Sequence, residues 1–383
     1  MVYLTDIRDI PIANATLVLT AMAIVGVIAA GPVGTLIDKY GPRRVILVGL
    51  AVEALGVASW SQVDSFSDAL ITGALVSLGG SAIWPPQNAL IARLASPETR
   101  QRVFGINFML LNAGLGMGGL IAALLIEDGN SASFERLYLV NSLAYIGFFI
   151  AVFPLKKAGG PVPVTTEAEA SAGYREVFQD RLLIRLAIAT LIMLTFGYAS
   201  VEAGLSLFVV NEAGLSAKTL GVIFGLNTAT IVIAQAFVLK FIQGRSRSKV
   251  LASVGLMWAV SWALVGFSSN FSPAFALALI GLGQVVFAIG ETFWSPIAPA
   301  MANDLAPEHL RGRYNAITAF QWTVANSIGP LVAGAFLGRG LVNGWILTLV
   351  IGCLFAAWLL LGMRKHLTAS QDGRFEAKVK DAS

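Results

Sequence analysis

The sequence predicts an all-α membrane protein, and its composition and the arrangement of its apolar residues lead to this prediction. Of the 383 residues, 56% are hydrophobic and 13% are charged, whereas an ordinary soluble domain carries about 25% charged residues. The mean hydropathy is +0.75. The apolar residues form runs of roughly 17 to 25 residues, the length at which an α-helix crosses the hydrocarbon core of a bilayer.

Eleven such runs follow one another along the chain, five before a polar central segment and six after it. Several contain glycine and proline, which spanning helices tolerate when neighbouring helices satisfy the backbone. The predicted spans lie near residues 12–37, 45–60, 69–92, 103–126, 137–153, 183–210, 220–242, 250–267, 274–300, 314–337 and 344–362.

Two polar segments divide the chain. The first, Pro154–Asp180, contains Gly159-Gly160-Pro161 and then several charges, so we predict a linker with a short surface helix. The second, Arg364–Ser383, mixes both charges without an apolar face, which predicts a solvated and disordered tail. The predicted organisation is a first helical bundle, a cytoplasmic linker, a second bundle and a cytoplasmic tail, over residues 1–153, 154–181, 182–363 and 364–383.

The basic residues are distributed unevenly between alternate loops. One set, together with the linker and the tail, holds 22 of the 26 Lys and Arg residues. Because Lys and Arg are retained on the cytoplasmic side, we expect this set and the C-terminus to be cytoplasmic and the chain to begin outside. This distribution accounts for the net charge of +4, and we expect no nucleic-acid partner.

The chain lacks the residue patterns of several kinds of enzyme. Its single cysteine, Cys353, lies inside an apolar run and excludes an intramolecular disulfide. No phosphate-binding loop of the form G-x-x-x-x-G-K-[ST] is present, so the chain alone has no ATP-driven motor. The two histidines, His309 and His366, have no nucleophile or metal-ligand pattern beside them. We expect no catalytic residue, cofactor or bound metal.

A charged motif separates the first two apolar runs. It reads GTLIDKYGPRRVI over Gly34–Ile46. Gly34 allows close backbone approach, Asp38 can meet a cation or a helix N-terminus, and Gly41-Pro42 turns the chain. The alternative is a generic positively charged loop. The motif resembles the loop between helices two and three of the major facilitator superfamily of secondary transporters; the matches are Gly34, Leu36, Asp38, Lys39, Gly41, Arg43 and Arg44, and Pro42 departs.

An internal repeat is the second strong signal. A tryptophan-x-proline pattern and a later proline-glutamate pair recur 210 positions apart, and an R-x-R pattern recurs after one inserted residue. Matched pairs include Trp84 with Trp294, Pro86 with Pro296, Glu98 with Glu308, Arg100 with Arg311, and Arg102 with Arg313. The second-half counterpart of the charged motif, Gln243–Lys249, has no acid to match Asp38. A parallel duplication of two halves is how major facilitator transporters are built.

The resemblance implies two pseudo-symmetric helical bundles with eleven spanning helices in this chain. Asp6–Asn14 aligns with Asn211–Thr219, so the first helix of the family scheme is expected to be missing and the runs to be helices two to six and seven to twelve. A late start codon, a truncated chain and a natural eleven-helix variant are the alternatives.

Three acidic residues fall within predicted spans, namely Glu53, Glu202 and Glu291. A charged side chain facing lipid at the bilayer centre costs about 2.5 to 3.5 kcal/mol on insertion scales. The resemblance places helices one, four, seven and ten around a central cavity, so Glu202 and Glu291 are the candidates for proton coupling or cation binding. The alternative is a buried carboxyl group that is protonated and hydrogen-bonded across helices. We prefer this alternative for Glu53, because the resemblance places its helix away from the cavity.

The resemblance also assigns candidates for substrate binding and gating. Aromatic and amide side chains on the cavity helices suit an amphipathic substrate, although the tryptophans are equally suited to anchoring at the membrane interface. These candidates are Trp84, Gln87, Asn88, Tyr198, Gln284 and Trp294. The gating motif is assigned to stabilising the outward-open state, through Gly34, Asp38, Lys39, Gly41, Arg43 and Arg44.

The sequence therefore predicts a secondary transporter of the cell membrane. We expect a monomer in the lipid bilayer that exports small amphipathic molecules in exchange for protons, as in the 12-helix drug:proton antiporter group that the chain resembles. Two departures are Leu115, where that group has a proline, and the absence of an arginine near Leu75. The alternatives are an importer or facilitator of a metabolite and a non-transporting membrane sensor or scaffold.

Overall fold

The computed structural model describes residues 3–127, 130–155, 159–162, 166, 172–216 and 218–374, except for the side chains of Glu202 and Ala203. Within these ranges the chain consists of α-helices joined by short π-helical turns, 3-10 turns and loops, without a strand. The α-helices of the described residues, numbered in chain order, are α1 Ile12–Tyr40, α2 Pro42–Ser59, α3 Phe66–Ser81, α4 Trp84–Leu94, α5 Pro97–Leu125, α6 Ser131–Val152, α7 Tyr174–Gln179, α8 Arg181–Met193, α9 Ser206–Asn211, α10 Lys218–Ile242, α11 Arg247–Ser268, α12 Pro273–Leu305, α13 Arg311–Leu337 and α14 Val342–Met363.

Ten helical segments of the described residues are long and apolar enough to cross a membrane. Helices α3 and α4 together make one of them, and α8 with the turn that follows makes another. The one predicted span not among these ten, 314–337, corresponds to α13, a helix of 27 residues whose polar residues lower its hydropathy. The all-α membrane fold predicted from the sequence is thus confirmed.

The first compact unit comprises Met1–Leu94, Gly114–Val177 and Ala306–Thr323. Its central helix is α2, which packs against both α3 and α6. A core cluster beside α2 is built from the aliphatic side chains of Ile46, Leu50, Ile83, Leu90 and Val152, and aromatic residues of α6 pack against it. This unit contains the charged motif and, from the second sequence half, the beginning of α13.

The second compact unit comprises Ala95–Ala113, Phe178–Leu305 and Val324–Ser383. Its central helix is α11, which packs against α12 and α14. Tryptophans fill this core: Trp258 and Trp262 of α11 and Trp345 of α14 are at most 1% exposed. The unit also contains the beginning of α5, which comes from the first sequence half.

The structure agrees with the sequence prediction for the central linker but not for the C-terminal tail. The linker contains the short helix α7, as predicted. The tail was expected to be solvated and disordered, but Arg364–His366 forms a 3-10 turn and Leu367, Asp372 and Gly373 are buried. The reason is a set of hydrogen bonds between Asp372 and the start of α11, which the polar composition of the tail does not reveal. Residues 375–383 lie outside the described part of the tail.

Candidate functional site

The chain between α8 and α9 is wound into two π-helical turns, Leu194–Tyr198 and Val201–Leu205. Such turns are rare and occur often at functional sites, because they shift the direction of the side chains around them. They contain two of the predicted site residues, Tyr198 and Glu202. The side chain of Glu202 lies outside the described part of the structure.

Glu291 lies in the interior of α12 and is 5% exposed. The Asn227 side-chain amide donates a hydrogen bond to its Oε2 over 2.9 Å, and Tyr198 bonds to the same carboxyl group. None of the ion pairs among the described residues involves Glu291. A carboxyl group held in this way needs a bound proton or an incoming cation to be neutralised.

Aromatic rings cluster near Glu291 around Trp258, which sequence reasoning did not single out. Trp258 stacks on Phe287 with ring centroids 4.6 Å apart and planes inclined by 10°, and its indole N–H donates to the Phe287 carbonyl over 3.1 Å. The rings of Tyr198 and Trp294 lie 6.2 and 5.9 Å from that of Trp258. The structure therefore brings Tyr198, Trp294 and Glu291 together in the second unit. The four-residue spacing of Trp258 and Trp262 was the available sequence signal.

Gln284 lies two helical turns before Glu291, on the same face of α12. Its side chain is 1% exposed, yet neither its amide oxygen nor its amide nitrogen has a hydrogen-bond partner among the described residues. Unpaired buried amide groups cost free energy. Gln284 therefore offers a donor and an acceptor that a ligand can use.

Trp84, Gln87 and Asn88 lie on α4 in the first unit. Trp84 is 45% exposed, and Gln87 and Asn88 are half-buried. An exposed tryptophan on a spanning segment also suits the interfacial role named for it above. The structure thus distributes the predicted cavity residues over both units.

Asp38, at the end of α1, binds the beginning of α13. Its carboxylate accepts hydrogen bonds from the backbone N–H groups of Gly312 and Arg313, over 2.6 and 3.3 Å. The Arg313 guanidinium completes the contact at 2.9 Å. Asp38, Gly312 and Arg313 are called the first anchor below. A carboxylate at a helix N-terminus interacts favourably with the exposed N–H groups and the helix dipole.

Gly34 permits this contact because α1 and α13 approach closely beside it. A Cβ atom on Gly34 would lie 2.6 Å from the Tyr174 hydroxyl and 2.7 Å from the Ala316 Cβ. Tyr174, from α7, donates its hydroxyl hydrogen to the Gly31 carbonyl over 2.7 Å, and the Arg313 guanidinium carbon lies 5.7 Å from its ring centroid. Burial raises the pKa of Tyr174 to about 12, so the hydroxyl keeps its proton at physiological pH.

The other motif residues have separate surroundings. Gly41 has a φ angle of 84°, a conformation that favours glycine. Arg43 donates to the Phe153 carbonyl through its guanidinium and to the Gly159 carbonyl through its backbone N–H over 3.2 Å. Lys39 and Arg44 are exposed. The cation paired with Asp38 is thus Arg313, which lies outside the motif.

Buried polar groups elsewhere form hydrogen bonds between or within helices. Glu53 is 5% exposed and bonds to Tyr145 and to the backbone of Gly80, which joins α2 to α6 and α3. Gln235 donates to the Thr292 carbonyl on a neighbouring helix over 3.3 Å, as expected of interhelical hydrogen bonds. Asn112 instead donates to the Phe108 carbonyl, one turn earlier in its own helix, over 3.0 Å.

A family comparison decides the identity of the fold. The sequence model described as Major Facilitator Superfamily matches residues 1–288, more than half of the chain. The chain belongs to the major facilitator superfamily. Members of this superfamily are transporters of small molecules, so the protein is a multi-pass membrane transporter and not an enzyme.

Similar superfamily members span nearly the same length. MdtH of Aeromonas hydrophila, named a multidrug resistance protein, is 25% identical over 340 residues, which are 86% of this chain and 80% of that protein. YttB of Bacillus subtilis, an uncharacterised MFS-type transporter, is 23% identical over 380 residues, 97% of this chain and 91% of that protein.

Solved structures of the superfamily share the fold. A bacterial homologue of the iron transporter ferroportin, crystallised in an outward-facing state, has a TM-score of 0.76 at 17% identity and covers 94% of this chain and 92% of its own. The human organic anion transporter MFSD10 has a TM-score of 0.70 at 18% identity, with 90% and 83% covered. At these identities the likeness concerns the fold alone.

Proposed function

We propose that this transporter exports small amphipathic molecules in exchange for protons by alternating access, with Glu291 as the proton-coupling group. It works as a monomer in the cell membrane with its C-terminus in the cytoplasm. The observation that carries the proposal is the Glu291 carboxyl group, which is buried in a spanning helix, bonded to Asn227 and Tyr198, and without an ion pair among the described residues. Such a group can hold a proton and release it when its surroundings change.

The side chains near Glu291 support an amphipathic substrate. Flat aromatic faces bind apolar bodies and organic cations, and the unpaired Gln284 amide can orient a polar group. The name of MdtH as a multidrug resistance protein supports export of several such molecules. Glu202, on the second π-helical turn, has a secondary role in this proposal, and its effect on proton coupling is smaller than that of Glu291.

The first anchor supports the gating part of the proposal. Its hydrogen bonds join the end of α1 to the start of α13, that is, the first sequence half to the second. A contact of this kind exists in only one of two alternating states, so it biases the equilibrium between them. In this proposal Asp38 controls the change between the two states, and Glu291 couples transport to proton movement.

The test is Glu291→Gln in purified protein reconstituted into liposomes, with ethidium as the transported probe. The amide keeps the volume and hydrogen-bonding capacity of the side chain but cannot exchange a proton at physiological pH. We expect ethidium transport driven by an imposed pH gradient to fall to background, while exchange of labelled for unlabelled ethidium continues without a gradient.

Glu53→Gln is the matched control, because it makes the same change at another buried carboxyl group on a spanning helix. It should keep gradient-driven transport. If Glu291→Gln matches the unsubstituted protein at every pH, Glu291 has a structural role and the coupling assignment is wrong. Uptake in the same direction as the proton flow would instead establish an importer.

A further inference from the structure

The N-terminus of α11 lies at the second-half counterpart of the charged motif, where the sequence contains no acid. The structure supplies two acids from other parts of the second unit. Asp304, at the end of α12, forms ion pairs with Arg247 and with Arg100 of α5; these three residues are called the second anchor below. Asp372, from the tail, binds the first residues of α11.

Asp372 is fully buried and accepts several hydrogen bonds through its carboxylate. Its Oδ1 accepts from the backbone N–H and the hydroxyl of Ser248, over 2.9 and 2.8 Å. Its Oδ2 accepts from the Ser246 hydroxyl over 2.7 Å, and Arg374 lies 3.0 Å away as a partly exposed ion partner. Asp372 is thus a cap on a helix of 22 residues, where a negative charge is favourable.

The backbone beside Asp372 holds Arg247. The carbonyl of Asp372 accepts the Arg247 backbone N–H over 2.8 Å, and the Gln371 carbonyl accepts from the Arg247 guanidinium over 3.2 Å. The same guanidinium nitrogen bonds to Asp304 at 2.5 Å. Arg247 is 1% exposed. Its buried charge needs these partners, because removing one partner of a buried ion pair strongly destabilises the folded protein.

The tail segment has a defined turn of its own. The Thr368 backbone N–H donates to the Gln371 side chain over 3.0 Å, and the Gln371 backbone N–H donates to the Thr368 hydroxyl over 3.2 Å. Gly373 ends the turn with a φ angle of 70°, and a Cβ atom there would lie 2.9 Å from the Arg247 side chain. The lack of a side chain at Gly373 therefore lets the turn pack directly against Arg247.

We propose that Asp372 is a positioning residue for transport: it fixes the start of α11 and Arg247, so that Arg247 and Arg100 share Asp304. The role rests on the proposed function, since the second anchor joins α5, from the first sequence half, to α11 and α12 from the second. Docking of residues 368–374 then stabilises the state in which the second anchor is formed. Substrate contacts are not involved, so the turnover number should change more than the KM.

The transport test compares two pairs of variants in ethidium-loaded liposomes. Asp372→Asn and deletion of residues 368–383 should lower kcat about five-fold or more and leave KM within about two-fold, because gating and not binding is altered. Ser370→Ala, an exposed change in the same turn, and deletion of residues 375–383 are the matched controls and should keep kcat. Asp372→Glu should restore part of the loss. Unchanged kcat in both Asp372→Asn and the longer deletion would overturn the proposal.

A stability measurement separates this proposal from the proposed function. A double-mutant cycle of Asp372→Asn and Asp304→Asn, read by thermal unfolding in detergent, needs no substrate. The Asp372 carboxylate holds the turn whose carbonyl groups bind Arg247, and Asp304 binds the same guanidinium, so the two losses should be non-additive. Additive losses would overturn the role through Arg247, whereas absence of ethidium transport by the unsubstituted protein, together with a non-additive cycle, would overturn only the proposed function.

Discussion

Glu53 and Glu291 are both buried carboxyl groups on spanning helices, and they differ in what surrounds them. Glu53 bonds to Tyr145 and to the Gly80 backbone across three packed helices of the first unit. Glu291 lies beside a cluster of aromatic rings and bonds to Tyr198, the last residue of a π-helical turn. Environment, and not residue type, therefore favours Glu291 for coupling.

Asp38→Asn is expected to slow transport without weakening substrate binding. The amide keeps one acceptor for the Gly312 N–H but loses the charge that pairs with Arg313, a contact of the charge-assisted kind worth about 1.5 to 3 kcal/mol. We expect several-fold slower ethidium efflux from liposomes, with an ethidium Kd measured by fluorescence within two-fold of the unsubstituted protein.

Asp64→Asn is the control for this change, because the Asp64 side chain is 78% exposed and forms an ion pair with Arg8, and exposed ion pairs contribute little. It should leave both quantities unchanged. A Kd that rises in Asp38→Asn while the rate at saturating ethidium stays constant would refute the gating assignment.

At the scale of helices, two features of the backbone matter: the close approach of α1 to α13, and the π-helical turns between α8 and α9. Helix α1 approaches α13 and the linker tyrosine at Gly34, where the lack of a side chain leaves just enough space. The segment from α8 to α9 is interrupted by π-helical turns beside Tyr198. The close approach at Gly34 allows a contact between two helices, whereas the π-helical turns change the direction of the side chains within one segment.

Gly34→Ala is expected to impair transport because the new methyl group would lie 2.6 Å from the Tyr174 hydroxyl and 2.7 Å from the Ala316 Cβ. The helices must separate or Tyr174 must move, which weakens the first anchor. We expect slower ethidium efflux, measured as an initial rate in liposomes of equal protein content.

Gly118→Ala provides the comparison, since no heavy atom lies within 4 Å of a Cβ placed there. It makes the same chemical change in α5, including the gain in helix propensity of about 1 kcal/mol, but meets no neighbour. Equal rates for the two variants would show that close approach at Gly34 does not matter for transport.

At the scale of the whole chain, the internal repeat is matched by two anchors of similar chemistry. Each joins an aspartate to arginines from the other sequence half: Asp38 to Arg313 in the first unit, and Asp304 to Arg100 in the second. The acids occupy unrelated positions in the repeat. Two contacts of the same kind are therefore made by residues that do not correspond in the repeat.

The double variant Asp38→Asn with Asp304→Asn is expected to be slower than either single variant, by about the product of the two single effects. The anchors share no partner among the described residues, and independent sites add in free energy. Initial rates of ethidium efflux for the four proteins provide the measurement. A double variant no slower than the slower single variant would show that both anchors control the same step.

The sequence by itself determined the all-α membrane class and the superfamily, because apolar run length, the charged motif at Gly34–Ile46 and the repeated W-x-P pattern are local properties. It also marked Glu291 as a buried acid. Only the tertiary structure decided that Arg313 pairs with Asp38, that Trp258 stands beside Tyr198, and that Asp372 of the polar tail caps α11. These contacts join residues far apart in the chain, and the free energy of burying a polar group depends on partners that no local pattern specifies.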